Sequence, residues 1–576
     1  MTTIDLSAFD VHFSQKLVEL SSNNDSTILL NSIKLLSHLN SQGNICLVLD
    51  DFAGKSFNYR YQDRETVVKF PEIEEWVSVL INSNIVTDQQ EHKPLLLDKN
   101  HQRLYLYRYW QYEQTLINTF KSFAKVGAGN IDQNKLNQGL KDLFPTSNED
   151  KKPLEAAKTA LENRFCVITG GPGTGKTTTV VKIMVLLLEQ DTNTRIVLAA
   201  PTGKAAARLK ESIVSGKENL KDTVSSSVTN LIQEETSTIH RLLGSIKNSV
   251  YFKYNEDNPL NIDCLILDEA SMIDMALMSK LVSALPEGCR LILLGDKNQL
   301  SSVEAGSVFG DICSSANNLL KNNIVQLTKS YRFDQHSGIG KLSSLILNER
   351  GVESYEYLTS DSDSRVSWKD LPEKADLKSF IQNNILATIN TYFSFQNIED
   401  AFAGFRSFLI LTAMRHGPFG SENINRIIEE LLLETGIIPR NKQWYVGKPV
   451  LITRNDYTLN LFNGDLGIFH VDPEDGNLKV YFETEEGHRK LSPSRLPDHE
   501  TVFAMTIHKS QGSEFDKVLI VLPDKENDVL TRELIYTGIT RARTKLQLWG
   551  NKEVFIKSVK KTIKRNSGLI DGLGSD

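Results

Sequence analysis

The chain has 576 residues, of which 40% are hydrophobic and 24% are charged. This is a globular composition, and the length predicts about three to four structural units, which excludes collagen-like, mucin-like and wholly disordered proteins. The 65 Lys and Arg residues against 72 Asp and Glu residues give a net charge of −7. The protein therefore does not coat nucleic acid by bulk charge, and any nucleic-acid site must be a local surface.

The cysteines and the first residues of the chain indicate the compartment. Five cysteines lie far apart and form no C-x-x-C pair: Cys46, Cys166, Cys264, Cys289 and Cys313. This usage is typical of a cytosolic protein and suggests neither a disulfide framework nor a zinc site. Residues 1–10 have neither a basic nor an apolar signal region, and no uncharged apolar stretch approaches about 18 residues. We expect a cytoplasmic protein without a membrane segment.

Residues 1–125 carry no catalytic motif and end in the aromatic run RLYLYRYWQYEQ at 103–114. We predict a separate, mainly helical interaction or packing domain here, followed by a linker near 127–136. No tandem repeat or low-complexity tract interrupts the chain.

From Phe165 onward, short β-rich runs alternate with helical segments. The runs are FCVIT at 165–169, RIVLAA at 195–200, DCLILD at 263–268 and RLILLG at 290–295. Nearly continuous apolar runs suit parallel strands that are covered on both faces. Residues 177–190 are apolar almost all round, which predicts a helix buried between the sheet and a second layer. We assign residues 126–350 to a first α/β domain.

After the polar stretch at 361–370, a second alternation begins with FLILT at 408–412 and continues with KVLIVL at 517–522 and KLQLW at 545–549. It predicts a second α/β domain over residues 351–576. Between these strands, short β runs separated by Asn-Gly, Asp-Gly and Glu-Gly turn signals predict a small all-β insertion at about 444–500.

A phosphate-binding loop is the strongest motif. It matches G-x-x-x-x-G-K-[ST] between a strand and a helix, with Gly170, Gly171, Pro172, Gly173, Thr174, Gly175, Lys176, Thr177 and Thr178 as predicted ATP-binding residues. Backbone N–H groups of such a loop surround phosphate oxygens at a helix N-terminus. We expect Lys176 to meet the β- and γ-phosphates and the Thr177 hydroxyl to ligate Mg²⁺.

Two strand ends supply candidate catalytic groups. Asp268 and Glu269 follow the strand CLIL, where the aspartate of a P-loop ATPase holds Mg²⁺ and an adjacent glutamate can polarise the attacking water. An Asp-Glu pair alone is usually surface charge, and the upstream loop is what makes Glu269 a candidate general base. Gln299, after the next strand, has an amide that can donate to the γ-phosphate and accept from the water.

Two arginines complete the predicted electrostatics: Arg332 in KSYRF and Arg541 in YTGITRAR. Positive charge that arrives from a second domain stabilises the transition state and couples cleft closure to hydrolysis. Isolated arginines are mostly solvated surface residues, so these two depend on the other motifs.

The ordered motifs resemble superfamily 1 helicases, and within superfamily 1B the RecD family of subunits of the bacterial RecBCD exonuclease V complex. The resemblance covers residues from about 94 to 569. The matching strings are ITGGPGTGKTTTV, APTGKAAARL, STIHRLLG, LILDEASMID, LLGDKNQLSSVEAGSVFGD, LTKSYRF, LTAMRHGPFGSENIN, GKPVLITRNDYTLNLFNGDLGI, AMTIHKSQGSEF and YTGITRAR.

The resemblance implies two RecA-like P-loop motor domains, an SH3-like fold for the insertion, ATP and Mg²⁺ as cofactors, and Tyr331 near the adenine. It also implies a single-stranded DNA track lined by Pro201, Thr202, Thr238 and His240 in the first motor domain and by Thr506, His508, Lys509, Ser510 and Gln511 in the second. Hydroxyl, amide and backbone N–H groups bind phosphates without reading sequence, as a translocating motor requires.

Two further features refine the resemblance. The family usually carries an adenine-reading glutamine upstream of the loop, whereas in this chain Pro153 occupies that place by spacing. The segment LSSVEAGSVF after Gln299 resembles the branch that moves 5′→3′. The implied partners are single-stranded DNA, duplex ends, and RecB-like and RecC-like subunits of a heterotrimer.

Three other functions compete with an ATP-dependent 5′→3′ helicase subunit of a repair and recombination complex. A stand-alone RecD-like helicase usually has a longer N-terminal extension than about 125 residues allow. A regulatory ATPase switch would bind nucleotide without moving on DNA. A nuclease would need clustered carboxylates with a lysine, and the nearest fragment, Asp376-Leu-Lys378, has no upstream acidic partner. We expect nuclease activity only from a partner.

Overall fold

The computed structural model describes residues 2–574 except 22–26, 126, 128, 130, 146–149, 248, 315–318, 335, 337, 361, 441–442, 457 and 485–486. Among the described residues, no helix combines the length and the apolar character that crossing a bilayer demands.

The N-terminal part contains two small sheets as well as helices. Its strands are β1 (Thr3–Asp5), β2 (Cys46–Val48), β3 (Ser56–Tyr61), β4 (Arg64–Lys69), β5 (Val86–Thr87), β6 (Leu95–Asp98) and β7 (Arg103–Leu106). Its helices are α1 (Ala8–Glu19), α2 (Thr27–Ser41), α3 (Ile73–Ile81) and α4 (Tyr107–Lys125). The strands form the sheets β1-β3-β4 and β2-β7-β6-β5. The prediction of a mainly helical domain missed these sheets, because strands of two to six residues leave little periodicity in the sequence.

The predicted first α/β region contains a parallel six-stranded sheet of order β10-β9-β11-β12-β8-β13. The strands are β8 (Phe165–Gly170), β9 (Ile196–Ala200), β10 (Thr236–Thr238), β11 (Cys264–Leu267), β12 (Arg290–Gly295) and β13 (Ile324–Leu327). All four predicted strands are confirmed. The helices are α5 (Gln133–Leu143), α6 (Lys152–Glu162), α7 (Lys176–Gln190), α8 (Gly203–Glu218), α9 (Ser226–Thr229), α10 (Ile239–Leu243), α11 (Met275–Ser283) and α12 (Val308–Ser314). Helix α13 (Gly338–Leu347) lies before the predicted boundary at residue 350, but its apolar residues belong to the core of the second parallel sheet described next. As predicted, α7 is buried, and it packs against α5, α6 and α8.

A second parallel core has the order β14-β23-β22-β15-β21. Its strands are β14 (Val366–Asp370), β15 (Phe408–Thr412), β21 (Ala504–Thr506), β22 (Phe515–Val521) and β23 (Ala542–Gly550). Its helices are α14 (Gly351–Thr359), α15 (Leu377–Tyr392), α16 (Ile398–Ser407), α17 (Ser421–Glu434), α18 (Arg532–Ile539) and α19 (Lys552–Lys560). The three strands predicted here are present, and the structure adds β14 and β21 at the two edges.

Between β15 and β21 lies an antiparallel five-stranded sheet of order β19-β18-β17-β16-β20. Its strands are β16 (Pro449–Ile452), β17 (Leu466–Val471), β18 (Leu478–Thr484), β19 (Gly487–Leu491) and β20 (His499–Thr501). An all-β segment therefore occupies the predicted position, and its SH3-like character stays a prediction.

Two segments cross the predicted domain boundaries. Helix α4 shares a hydrophobic core with the first parallel sheet, and the Phe120 ring lies 5.0 Å from that of Phe165. The chain after α19 returns to the N-terminal half, where α20 (Leu569–Gly574) packs on α4 and α12. We call residues 562–574 the C-terminal strap. The aromatic run at 103–114 is thus largely a packing surface, because its residues form β7 and the first turns of α4.

Candidate active site

The loops that follow the strands of the first parallel sheet meet at one edge. Residues 171–175 follow β8, Asp268 follows β11, and residues 296–299 follow β12. The carboxyl ends of parallel strands lie at the same sheet edge, which is where ligands bind in open α/β sheets. The sheet order places β8, β12 and β11 side by side, so the phosphate-binding loop and the candidate catalytic groups face one cleft.

The phosphate-binding loop has the backbone that its glycines permit. Gly173 has φ 74° and Gly175 has φ 81°, both in the left-handed region. A Cβ at Gly173 would lie 2.4 Å from the Cβ of Arg332, so only glycine fits there. The Lys176 ammonium donates to the carbonyls of Gly170 at 2.6 Å and Gly171 at 3.2 Å. The loop therefore holds the lysine at the N-terminus of α7, where a phosphate would find both a cation and free N–H groups.

Asp268 and Glu269 form a compact acidic pair. The Glu269 N–H donates to Asp268 Oδ1 at 2.8 Å, and Glu269 has φ 51°, a left-handed conformation that costs energy for a non-glycine residue. Burial, followed by repulsion from Glu269, raises the pKa of Asp268 to about 6, although Lys176 opposes the shift.

These residues suit Mg²⁺. Magnesium in nucleotide sites usually takes one or two protein oxygens plus substrate phosphates and waters. Thr177 and Asp268 both line the cavity beside the loop, and they offer a hydroxyl and a carboxylate. A divalent cation would also lie beside the two adjacent carboxylates of Asp268 and Glu269 and offset their mutual repulsion. The residues present thus fit the predicted metal.

Gln299 and Arg541 meet across the boundary between the two parallel sheets. Arg541 Nη2 donates to Gln299 Oε1 at 2.9 Å, and Gln299 Nε2 donates to Asp296 at 3.1 Å. Tyr536 also donates to Asp296, at 3.1 Å. Arg541 is only 2% exposed, and burial lowers its pKa. Each polar end of Gln299 makes one bond, which leaves a second N–H and a second lone pair for a phosphate or a water in the cavity that Gln299 lines.

The Arg332 guanidinium forms an ion pair that the sequence motifs did not predict. Its guanidinium lies 2.7 Å from Glu514, which also pairs with Arg208 and accepts from Arg543 at 3.2 Å. Burial opposes ionisation of Glu514, but Arg208 and Arg332 outweigh it and lower its pKa to about 2. Glu514 and Arg208 were missed although both lie in the quoted motif strings, because no spacing rule links two residues that meet only in the folded chain.

Two cavities adjoin the phosphate-binding loop. One, of about 420 Å³, is lined by Asp268, Glu269, Gln299, Arg332 and Arg541, so the six predicted catalytic residues including Lys176 face a single space. The other, of about 730 Å³, also borders the loop and is lined by Tyr331 and Pro153 among others. The size and the apolar wall of the second cavity suit a nucleotide base.

The first group of predicted DNA-contacting residues follows β9 and β10. These strands are paired in parallel with Thr238 opposite Ala200, so Thr202 and Thr238 lie at one edge. Pro201 lies between β9 and Thr202. The two threonines cap α8 and α10 by accepting from Ala205 and Arg241. Burial lowers the pKa of His240, whose ring lies 5.7 Å from that of Phe252.

The second group follows β21. Thr506 accepts from the N–H of Lys509 at 3.4 Å, and the Lys509 ammonium pairs with Glu500 at 2.5 Å. Gln511 donates to the carbonyl of Leu300 at 3.2 Å. Ser510 is fully buried and donates to the carbonyl of Ile507, so its hydroxyl has no access to a ligand in this conformation. His508 is considered with the C-terminal strap below.

The two groups come close together. A Cβ built at Gly512 would lie 3.8 Å from the Cβ of Ala205, in the first turn of α8. Residues on either side of this contact include Thr202 and Gln511. The structure thus brings the two predicted halves of the track to neighbouring positions, whereas the contact with DNA stays a prediction.

Three family models match the chain. They are the N-terminal domain of RecBCD enzyme subunit RecD over residues 5–105, an AAA domain over 154–305 and a UvrD-like helicase C-terminal domain over 501–549. Among solved structures, the Pif1 helicase from Bacteroides in complex with ADP-AlF3 and ssDNA covers 69% of this chain and 91% of that chain, with 18% identity and a TM-score of 0.39.

Curated relatives match over most of their length. RecBCD enzyme subunit RecD of Haemophilus influenzae is 34% identical, with 98% of this chain and 97% of that protein covered. The ATP-dependent RecD2 DNA helicase of Deinococcus radiodurans is 29% identical, but the match spans 81% of this chain and only 58% of that protein. The match to RecD covers nearly the whole of both chains, and the model of the RecD N-terminal domain also matches. Together with the cleft that the two parallel cores line, these findings show that this chain belongs to the family of the RecD subunit of the RecBCD enzyme.

Proposed function

We propose that this protein is an ATP-dependent DNA helicase of the RecBCD type that moves 5′→3′ on single-stranded DNA. The observation that carries the proposal is the contact between Arg541 and Gln299, at 2.9 Å. It joins an arginine on the second parallel core to the residue that follows β12 on the first. Through such a contact, ATP hydrolysis in the cleft changes the position of one core relative to the other.

Each polar group in the cleft has a role in this proposal. Lys176 neutralises the β- and γ-phosphates, and Glu269 accepts a proton from the attacking water. Arg332 and Arg541 stabilise the charge that develops on the transferred phosphoryl group. Thr177 and Asp268 would hold Mg²⁺, which supplies charge neutralisation between the phosphates when bound. Gln299 links the γ-phosphate position to Arg541.

The ion pairs of Glu514 join the two sides of the cleft. Glu514 lies on the second parallel core and engages Arg208 and Arg332 on the side of the first. A carboxylate is an anionic partner for guanidinium groups, as a phosphate is. In our proposal ATP displaces Glu514 from Arg332, so nucleotide binding exchanges one set of contacts across the cleft for another.

The remaining parts of the proposal concern DNA, partners and location. We infer that Pro201, Thr202, Thr238, His240, Thr506, His508, Lys509 and Gln511 line a single-stranded DNA track, with Ser510 supporting the turn from beneath. The two parallel cores would be RecA-like motors, and RecB-like and RecC-like subunits would complete a cytoplasmic heterotrimer. Any nuclease activity would belong to a partner subunit.

The test combines ATP hydrolysis and strand displacement. We expect hydrolysis that is stimulated by single-stranded DNA without sequence preference, and unwinding of duplexes with 5′ tails. Unwinding from 3′ tails alone would reverse the polarity. Absence of DNA stimulation would favour a regulatory ATPase switch. Co-purification from the native host, with or without RecB-like and RecC-like chains, distinguishes a complex subunit from a stand-alone helicase.

A further inference from the structure

The C-terminal strap places one arginine on the loop that follows Gln299. Arg565 Nη1 donates to the carbonyls of Gly306 at 2.7 Å and Glu304 at 3.0 Å, and to Ser302 Oγ at 3.3 Å. All three acceptors belong to residues 300–307, which we call the 300–307 loop. One guanidinium nitrogen thus donates to three residues of a loop that has no regular secondary structure before α12.

The N-terminal part of the chain closes over the same contact. The N–H of Gly306 donates to the carbonyl of Gly43 at 2.9 Å. A Cβ at Gly43, which has φ 93°, would lie 2.5 Å from Arg565 Nε. The N–H of Asn566 donates to the Asn44 side chain at 2.9 Å. Arg565 is therefore packed between the 300–307 loop and the turn after α2, and the glycine is what permits the approach.

The other end of the 300–307 loop is held by the second parallel core. The N–H of Leu300 donates to Thr537 Oγ1 at 2.9 Å, and its carbonyl accepts from Gln511 at 3.2 Å. Gln299, immediately before the loop, accepts from Arg541. The loop therefore connects the cleft at one end with the strap and the N-terminal part at the other.

The 300–307 loop also contacts the predicted DNA track. Gln511, which is predicted to contact DNA, donates to the carbonyl of Leu300 at the start of the loop. Beyond the end of the loop, Asp311 accepts from Ser567 of the strap at 2.8 Å. Burial lowers the pKa of His508, and the Arg565 charge lowers it further. The loop is thus bonded to a residue predicted to contact DNA at one end and to Arg565 at the other.

We propose that Arg565 is a positioning residue that couples DNA binding to ATP turnover by holding the 300–307 loop against the strap. DNA that shifts Gln511 changes its bond to the 300–307 loop that Arg565 holds, and the loop transmits this change to Gln299 and its contact with Arg541. Arg565 itself touches neither ATP nor the reacting atoms. This inference rests on the proposed function, because it presupposes that single-stranded DNA stimulates ATP hydrolysis.

The experiment compares three full-length variants with the wild type. Arg565→Ala removes the guanidinium. Arg565→Lys keeps the charge beside His508 and Asp311, but an ammonium group lacks the planar fork that reaches several carbonyls. Lys564→Ala removes the neighbouring charge, which is exposed. ATP hydrolysis is measured with and without oligo-dT, together with the half-saturating ATP and DNA concentrations and the thermal unfolding temperature.

We expect the ratio of hydrolysis with DNA to hydrolysis without DNA to fall about 10-fold in Arg565→Ala, within the usual range of coupling between sites. The half-saturating ATP concentration stays near the wild-type value. In Arg565→Lys the ratio falls about 3-fold, while the unfolding temperature stays close to that of the wild type. A loss of coupling without a loss of stability separates a positioning role from a role in folding. Lys564→Ala keeps the full ratio.

Three outcomes would overturn the inference. Full stimulation in Arg565→Lys together with full stimulation in Arg565→Ala removes any coupling role. A loss in Arg565→Ala that Arg565→Lys restores completely, along with the unfolding temperature, marks a structural charge only. Absence of stimulation in the wild type itself rejects the proposed function, and this inference with it, so the two failures are distinguishable.

Discussion

The two parallel cores contribute different kinds of groups to one cleft. The first contributes loops at strand ends: the glycine-rich loop after β8, the acidic pair after β11 and Gln299 after β12. The second contributes side chains that reach over, above all Arg541 and Glu514, which are almost fully buried. The first core is built to bind a nucleotide, and the second provides charges whose position depends on how the cores face each other.

This difference between the two cores predicts two classes of variant with different effects on the cleft. A change in the first core removes binding or a catalytic group outright. A change in the second alters the response of the cleft while leaving the binding loop intact, because its residues touch the nucleotide side mainly through Gln299 and Arg332.

Lys176→Gln is expected to abolish ATP hydrolysis and unwinding, because it removes the one lysine that the loop holds over the phosphate position. The variant should unfold at the wild-type temperature, since the side chain bonds only to carbonyls of its own loop. A steady-state ATPase assay with single-stranded DNA measures the loss. The exposed Lys221→Gln serves as the control. DNA-stimulated hydrolysis that survives in Lys176→Gln would refute the nucleotide site.

Arg541→Ala is expected to slow hydrolysis about 10³-fold, as the loss of an arginine that stabilises transition-state charge does. ATP affinity should change much less, because Lys176 and the loop remain. Turnover at saturating ATP and binding of a fluorescent ATP analogue give the two values. Lys545→Ala is the control, since Lys545 lies four residues away with an exposed side chain. Equal losses of rate and affinity would instead mark Arg541 as a ground-state binding residue.

Glu269→Gln is expected to hydrolyse ATP about 10²-fold more slowly because the general base is lost. Nucleotide and Mg²⁺ should still bind, since Asp268 and Thr177 are unchanged, and the variant should retain ATP in a trapping assay. Glu287→Gln, on an exposed loop before β12, controls for charge. Near-normal turnover would show that another group activates the water.

Glu514→Gln is expected to destabilise the nucleotide-free protein, by about 3 kcal/mol at pH 7, because the folded pKa of about 2 lies well below the ordinary value of 4.5. A lowered folded pKa stabilises the protein above pH 4.5, and this contribution is lost as the pH falls toward 2. The difference in thermal unfolding between wild type and variant should therefore be constant above about pH 5 and shrink below it.

The exposed pair of Glu526 and Lys557 offers the control for Glu514. Glu526→Gln should have no measurable effect, since exposed ion pairs contribute little. A stability difference for Glu514→Gln that does not depend on pH would mean that packing, rather than the carboxylate charge, accounts for it.

Much of the fold could be predicted from the sequence, because many of its strands are continuous local runs of apolar residues. The apolar runs at 165–169, 195–200, 263–268 and 290–295 became β8, β9, β11 and β12, since buried parallel strands are read directly from continuous hydrophobicity. The N-terminal sheets were missed, because their strands of two to six residues leave little periodicity in the sequence. The predicted boundary near residue 125 cuts through a shared core, because α4 packs on Phe165.

The amino-acid sequence alone determined the elements whose chemistry is contiguous: the phosphate-binding loop, the acidic pair at 268–269 and the strands that carry them. These depend on backbone conformations and periodicities that neighbouring residues impose. Only the tertiary structure decided that Arg541 meets Gln299, that Glu514 holds Arg208 and Arg332, and that Arg565 rests against Gly43. Such contacts join residues far apart in the chain, so their geometry exists only after the sheets have packed and the C-terminal strap has returned to the N-terminal half.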